Sequence, residues 1–129
     1  MKIIRFNQII GTERQVKCPK GGFISNRFLL ESDGMGYTIT KTVIPAGEPQ
    51  HWHYKNHLES CYCIRGGGIL TSMETGERHL IRPDTLYVLD KHDDHTFQAI
   101  NLTELICVFN PPLTGREVHQ QDGSYEVTK

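Results

Sequence analysis

Three histidines and a glutamate alternate within one short stretch of this sequence, GEPQHWHYKNHLESCYCIRG, from Gly47 to Gly66. At odd positions within it stand His51, His53, His57 and Glu59. In an extended strand, residues of one parity project from the same face. Neutral imidazole and carboxylate groups are good ligands for first-row divalent metals, so the stretch predicts a metal site. Curvature of the chain around Tyr54 to Asn56 would break this alternation.

A second stretch, PDTLYVLDKHDDH from Pro83 to His95, places a strand before a polar turn and a histidine. Tyr87 stands near the end of that strand. A bound cation lowers the pKa of a nearby acidic group and so can turn a phenol into a ligand. Alternatively, Tyr87 is a core aromatic residue whose hydroxyl is hydrogen-bonded, and on residue type alone this interpretation is favoured.

The four cysteines, Cys18, Cys61, Cys63 and Cys107, have neither CxxC spacing nor the density of an extracellular disulfide framework. Cys61 and Cys63 would share one face of a strand, which is compatible with two zinc-binding thiolates. Small buried residues in a reducing compartment are the simpler interpretation, and the sequence favours it.

Short segments rich in β-branched and aromatic residues must position these groups. Turn signals such as Ser32-Asp33-Gly34 and Gly66-Gly67-Gly68 separate them. The predicted strands include Gly36 to Ile44, Ser60 to Ile64, Thr85 to Leu89 and Leu105 to Phe109. Regular short strands of this kind predict an all-β barrel or sandwich with little helix, and a helix is considered only for Asn7 to Val16. No linker is evident, so residues 1–129 are interpreted as a single domain.

Composition excludes several classes of protein. The 129 residues carry a formal net charge of -1, with 37% hydrophobic and 22% charged residues, which does not favour binding to nucleic acid or a membrane surface. Arg5, Asn7 and Gln8 interrupt the apolar N-terminal residues, so no signal peptide is predicted. We therefore expect a cytoplasmic protein.

The two stretches together resemble the paired motifs of the cupin superfamily. His51-Trp52-His53, Glu59 and Gly66 are similar to the first motif, although five residues separate His53 from Glu59, more than in typical cupins. Pro83 and His95 are similar to the second motif, with Asp84 in place of its usual glycine. The resemblance implies a cupin-type barrel, also described as a double-stranded β-helix or jelly roll.

A narrower resemblance extends over almost the whole chain. It rests on HYKNHLE (53–59), YCI (62–64), LDKHDDH (89–95), CVFNPPLTGREVH (107–119) and DGSY (122–125), which are similar to ectoine synthases. These enzymes close N-γ-acetyl-L-2,4-diaminobutyrate into the compatible solute ectoine, with loss of water, under osmotic stress. The resemblance implies a homodimeric lyase that uses iron, Fe²⁺ in the first place, with other divalent metals able to take the same ligands.

The same resemblance assigns roles to individual residues. The implied metal ligands are Glu59, Tyr87 and His95. The implied substrate-binding residues are Phe23, Arg27, Thr40, Thr42, Tyr54, Cys107 and Phe109. Glu117 and His119 are the implied catalytic residues, because the attacking amine loses a proton and the leaving hydroxyl gains one.

This chain departs from the family pattern at a few positions. Family members usually have tryptophan where Phe23 stands and an acidic or amide residue near Thr40. Their Gly-Glu-Gly-Glu turn is replaced by Gly66-Gly67-Gly68-Ile69. Alternatives are another iron-dependent cupin enzyme such as a dioxygenase, a cupin that binds a small ligand without turnover, and a purely structural metal site. His51 and His53 as metal ligands would favour the dioxygenase.

Overall fold

The computed structural model describes residues 1–18 and 22–117. Within them are two short 3₁₀ helices, Phe6–Gln8 and Glu31–Asp33, and ten strands numbered in chain order. The strands are β1 (Gln15–Lys17), β2 (Ile24–Leu29), β3 (Thr38–Ile44), β4 (Gln50–Trp52), β5 (Leu58–Arg65), β6 (Gly68–Ser72), β7 (Arg78–Ile81), β8 (Leu86–Leu89), β9 (His95–Ala99) and β10 (Thr103–Asn110).

The strands form two antiparallel sheets. The larger has the order β1-β2-β3-β10-β5-β8, and the smaller has the order β4-β9-β6-β7. Side chains on β3, β9 and the first part of β10 alternate strictly between buried and more exposed positions, as expected for strands with one face on a core. The predicted all-β architecture is therefore confirmed, and the four strands predicted from composition correspond to β3, β5, β8 and β10.

The prediction of a helix from Asn7 to Val16 is wrong. The chain makes a single 3₁₀ turn at Phe6–Gln8 and then enters β1 at Gln15. Gly11 has a φ of 77°, a left-handed conformation that interrupts a right-handed helix. Local bonds also compete with helix formation, since the hydroxyl of Thr12 donates to the carbonyl of Ile9 over 2.7 Å.

The core lies between the two sheets, and Phe97 on β9 is fully buried in it. Its ring stacks on Trp52 of β4 at a centroid distance of 6.3 Å and on Tyr87 of β8 at 6.2 Å. Phe97 thereby connects an edge strand of the smaller sheet with an edge strand of the larger one, and it fixes the side chains at one wall of the interior.

A row of buried side chains crosses five strands of the larger sheet. Its register partners are Tyr87 with Cys61, Cys61 with Cys107, Cys107 with Thr40, and Thr40 with Arg27. Side chains directly opposite each other on paired strands have Cβ atoms about 4.5–5.5 Å apart. The interior of this sheet therefore carries a continuous band of polar and ionisable groups. Segments that are far apart in the sequence contribute them.

The turn between β5 and β6 is tightly packed. A Cβ atom on Gly67 would lie 2.5 Å from the carbonyl oxygen of Ile81, so this position has no room for a side chain in this backbone. The hydroxyl of Thr103 accepts a hydrogen bond from the Gly67 amide over 3.0 Å and holds the turn against β10. Among the described residues, no helix has the length and apolar character needed to cross a bilayer.

Candidate active site

A small cavity opens between the sheets at the end of the polar row. Seven of the residues implied by the family resemblance line it, and they are Phe23, Thr42, Tyr54, Glu59, Tyr87, Cys107 and Phe109. They come from six separate segments of the chain. Strand register explains the convergence, because Glu59 faces Phe109 across β5 and β10, and Cys107 lies two positions along the same inward face.

Three further residues line this cavity that were not predicted for it: Trp52, Cys61 and Leu105. Each lies two positions from a predicted residue on the same strand or its continuation. Because side chains on one face of a strand recur every second residue, this spacing could have predicted all three. Cys61 follows Glu59 on β5, Leu105 precedes Cys107 on β10, and Trp52 precedes Tyr54.

Aromatic rings form much of the cavity wall. Phe23 meets Trp52 edge to face at a centroid distance of 5.1 Å, and Tyr54 meets Phe109 in the same way at 5.4 Å. Edge-to-face pairs contribute beyond their buried area and hold the rings in fixed orientations. The wall therefore offers ring faces to a ligand.

Glu59 and Tyr87 in the cavity hold their protons to higher pH than usual. Burial, and then the neighbouring Cys107 sulfur, raise the pKa of Glu59 well above its ordinary value. Burial and the nearby Cys61 and Glu59 likewise raise the pKa of Tyr87. None of the described residues that line the cavity is a lysine or an arginine, so a bound cation would supply the missing positive charge.

His95 lies beside the cavity, where its ring meets those of Trp52 and Tyr54 at centroid distances of 6.0 and 6.3 Å. Its Nδ1 contacts the carbonyl oxygen of Asp93 over 2.9 Å, which places the proton on Nδ1. Its buried Nε2 has no hydrogen-bond partner among the described residues. Burial lowers the pKa of His95, so Nε2 carries a free lone pair, as a metal ligand requires. Tyr87 and His95 also both line a second cleft, between β7 and β8.

The structure brings three potential ligand atoms close enough to hold one ion. Glu59, Cys61 and Cys107 are all buried, and one ligand atom from each lies within 4.8 Å of the other two. The chemistry of the cavity therefore fits a metal ion, with carboxylate, phenol, thiol and imidazole donors in or beside one enclosed space.

Two other residues with implied roles, Arg27 and Thr40, are buried but are not among the residues that line the cavity. Arg27 is fully buried, and its guanidinium donates to the backbone carbonyl of Glu117 over 2.8 Å. The hydroxyl of Thr40 contacts that of Thr42 at 3.1 Å, which places Thr40 one residue removed from the lining. His119 lies outside the described residues.

The carboxylate of Glu117 is held by its own segment. It accepts hydrogen bonds from the amides of Thr114, over 2.7 Å, and Gly115, over 2.9 Å. Burial alone would raise the pKa of Glu117, but these backbone amides outweigh burial and hold the pKa below its ordinary value. Glu117 is therefore ionised at neutral pH.

The expectation that His51, His53, His57 and Glu59 share one face is wrong, because β4 ends at Trp52 and a turn precedes β5. His51 is exposed and pairs with Asp94, and His53 lies 3.8 Å from the same carboxylate. His57 and Glu59 are buried. The HxH histidines do not line the cavity that contains Glu59, which removes the feature that would favour a dioxygenase.

Fold and cavity together define a cupin-type domain with a buried site able to hold a metal ion. The cupin domain of Cnp3 from Schizosaccharomyces pombe shares this fold, with a TM-score of 0.61 at 10% identity over 75% of this chain and 67% of that one. A family model for ectoine synthase matches residues 1–129.

L-ectoine synthase of Marinomonas sp. (strain MWYL1) is 52% identical over 116 residues, 90% of each chain. The crystal structure of ectoine synthase from P. lautus matches with a TM-score of 0.87 and 37% identity, over 100% of this chain and 92% of that one. The chain therefore belongs to the ectoine synthase family, and it is an enzyme.

Proposed function

We propose that this chain converts N-γ-acetyl-L-2,4-diaminobutyrate to ectoine in the cavity between the two sheets. The free amine of the substrate attacks the acetyl carbonyl carbon, and the carbonyl oxygen leaves as water. Amide carbonyls are poor electrophiles because of resonance, so the reaction needs both activation of the carbonyl and a folded substrate. The convergence of Glu59, Tyr87 and an aromatic wall in one enclosed cavity is the observation that carries this proposal.

Glu59, Tyr87 and His95 would hold the metal ion, with iron(II) proposed and other divalent ions able to take the same oxygen and nitrogen donors. The lone pair on His95 Nε2 and the proximity of Glu59 and Tyr87 support this assignment. When bound, the ion supplies Lewis-acid polarisation of the acyl oxygen, worth several kcal/mol of charge stabilisation.

The aromatic residues would fold the substrate. Phe23, Tyr54 and Phe109 pack around a small space, so a flexible diamine derivative bound there is held with its amine near the carbonyl carbon. The amine becomes part of a cationic amidine in the product, and ring faces attract such a charge. Phe23 in place of the usual tryptophan leaves a smaller ring at this wall.

Arg27, Thr40 and Thr42 would fix the carboxylate end of the substrate. The Arg27 guanidinium is planar and suits paired hydrogen bonds to a carboxylate. Arg27 faces Thr40 across β2 and β3, and the hydroxyl of Thr40 contacts that of Thr42 in the cavity lining. Cys107 contacts Thr42 at 3.5 Å and would complete this end of the site.

Glu117 and His119 would manage the protons. The attacking amine must lose a proton, and the ionised Glu117 carboxylate is in the correct state to accept one. Its link to Arg27 through the backbone keeps this segment beside the proposed carboxylate site.

Incubation of the purified, iron-loaded chain with N-γ-acetyl-L-2,4-diaminobutyrate tests the function, with ectoine detected by NMR. Glu59→Ala should lose bound iron and ring closure together, whereas Glu48→Ala, which removes an exposed carboxylate, should retain both. Ring closure at the normal rate by Glu59→Ala would refute the proposed site. No ectoine from protein with a filled metal site would refute the activity.

We further propose a cytoplasmic homodimer in which residues 1–129 form one domain. All four cysteines are free and buried, as is common in a reducing compartment. β8 lies at an edge of the larger sheet, and Leu86 and Val88 on its outer face are more than half exposed, features that favour pairing with a second chain. Leu86→Lys should therefore yield monomers in sedimentation experiments, and Met35→Lys, at an exposed methionine elsewhere, should remain dimeric.

A further inference from the structure

Two cysteines lie beside Glu59 in the candidate active site, and neither belongs to the proposed Glu59, Tyr87 and His95 ligand set. Cys61 and Cys107 are direct register partners on β5 and β10, and both point inward. The Glu59 carboxyl group is within hydrogen-bonding reach of both thiols. The three ligand atoms lie within 4.8 Å of one another, which is close enough for all of them to bind one ion.

The surroundings of this group favour a cation. The three side chains are buried, and Tyr87, which hydrogen-bonds to Cys61, adds a fourth acidic group. No lysine or arginine stands among the described residues of the cavity lining to balance a carboxylate or a thiolate there. A divalent ion would allow several of these groups to ionise together, because its charge offsets theirs.

Sulfur selects the kind of ion. Thiolates prefer soft or borderline ions, and Zn²⁺ accepts tetrahedral sets that mix cysteine sulfur with carboxylate oxygen. We propose that Cys61, Cys107 and Glu59 form a binding site for a thiophilic divalent cation of the zinc class. Glu59 belongs both to this set and to the proposed set of Glu59, Tyr87 and His95. An ion bound by the two sulfurs and Glu59 therefore prevents a second ion from binding to Glu59, Tyr87 and His95.

Cys63 provides a matched comparison within the same strand. It lies two residues beyond Cys61 on the same buried face, but its sulfur contacts the carbonyl oxygen of Arg65 at 3.5 Å and is not part of the group of three. Cys61 and Cys63 thus lie on the same strand and are equally buried. They differ because only Cys61 belongs to the group that includes a second sulfur and a carboxylate.

Titration of the full chain with Co²⁺, the spectroscopic substitute for zinc, tests the site. The protein is first stripped of metal and kept reduced and free of oxygen. We expect a near-ultraviolet sulfur-to-cobalt charge-transfer band with visible bands of tetrahedral cobalt, all of which disappear when Zn²⁺ is added. Cys61→Ser and Cys107→Ser should each remove roughly half of the charge-transfer intensity, since one of two sulfurs remains. Cys63→Ser should leave the spectrum unchanged.

A cobalt spectrum without the sulfur band would overturn the inference, as would a Cys61→Ser spectrum equal to that of the wild type. Circular dichroism establishes that each variant is folded, and Cys61→Ala replaces the serine variant if serine is not tolerated. Iron-dependent ring closure is measured on the same wild-type preparation. Activity without a sulfur band would refute the zinc-class site alone, whereas a sulfur band without activity would refute the proposed function alone.

Discussion

Replacing Glu59 by glutamine should have opposite effects on the metal-free and the metal-loaded protein. Glutamine has nearly the shape of glutamic acid but never ionises. In the metal-free fold, burial raises the pKa of Glu59 well above its ordinary value of 4.5. The folded chain therefore holds a proton that the unfolded chain releases. A carboxyl group of this kind costs stability as the pH rises from its unfolded pKa towards its folded pKa.

The size of the effect follows from one proton. Each additional proton bound by the folded state changes the free energy of unfolding by about 1.4 kcal/mol per pH unit. Buried His57 and His95 have lowered pKa values and produce the opposite slope, because their unfolded forms bind more protons. The difference between wild type and Glu59→Gln cancels those terms. Without metal, this difference should grow in favour of the variant by up to about 1.4 kcal/mol per pH unit above pH 4.5.

Urea unfolding of both metal-free proteins from pH 4.5 to about pH 8 measures this difference. Added Fe²⁺ should stabilise the wild type, by about 2.7 kcal/mol at a hundredfold excess over the dissociation constant, and should leave Glu59→Gln unchanged. Parallel pH curves for the two metal-free proteins would refute the buried-acid argument. Equal stabilisation by iron would refute the assignment of Glu59 as a ligand.

Three further substitutions test the scaffold around the site. Thr103→Val removes a fully buried hydroxyl that holds the β5–β6 turn and should cost about 2–3 kcal/mol in urea unfolding, whereas Thr103→Ser should cost less than half of that. Asp33→Asn removes the carboxylate whose pKa is lowered by Arg14. The variant should be less stable than the wild type above pH 3.8, and this difference should disappear as the pH falls below that value. A difference that stays constant with pH would contradict the assignment. Asp84 has a φ of 67° and accepts a hydrogen bond from Tyr62, so Asp84→Ala should lose about 1–2 kcal/mol in thermal unfolding and Asp84→Gly clearly less.

Strand alternation made much of this fold predictable from the sequence. β3 and β10 alternate buried and more exposed residues so regularly that their limits differ from the prediction by two residues or fewer. The N-terminal segment was mispredicted because a left-handed Gly11 and side-chain bonds to the backbone decide its path, and neither leaves a periodic pattern.

The site was predictable to a lesser extent, since it depends on register between distant strands. Glu59 was found from its spacing as well as from the resemblance, and Tyr87 from the resemblance alone; both line the cavity. The proximity of Cys61 to Cys107 depends on which residues of β5 and β10 stand opposite each other, and spacing within one strand does not contain that information. His51 stood out as a candidate from its spacing, yet it is exposed and pairs with Asp94. β4 ends at Trp52, and the turn before β5 breaks the alternation, as curvature around Tyr54 to Asn56 would.

Trp52 is the one tryptophan among the 129 residues, and it lies in the cavity wall between Phe23, Phe97 and the ring of His95. The intrinsic fluorescence of the chain excited at long wavelength therefore comes from a single fluorophore at the candidate active site. A paramagnetic ion bound nearby would quench this emission, and a ligand that displaces water would shift the wavelength of maximum emission. Occupancy can thus be followed in the unmodified protein, without a label, during the same titrations that test the ligands.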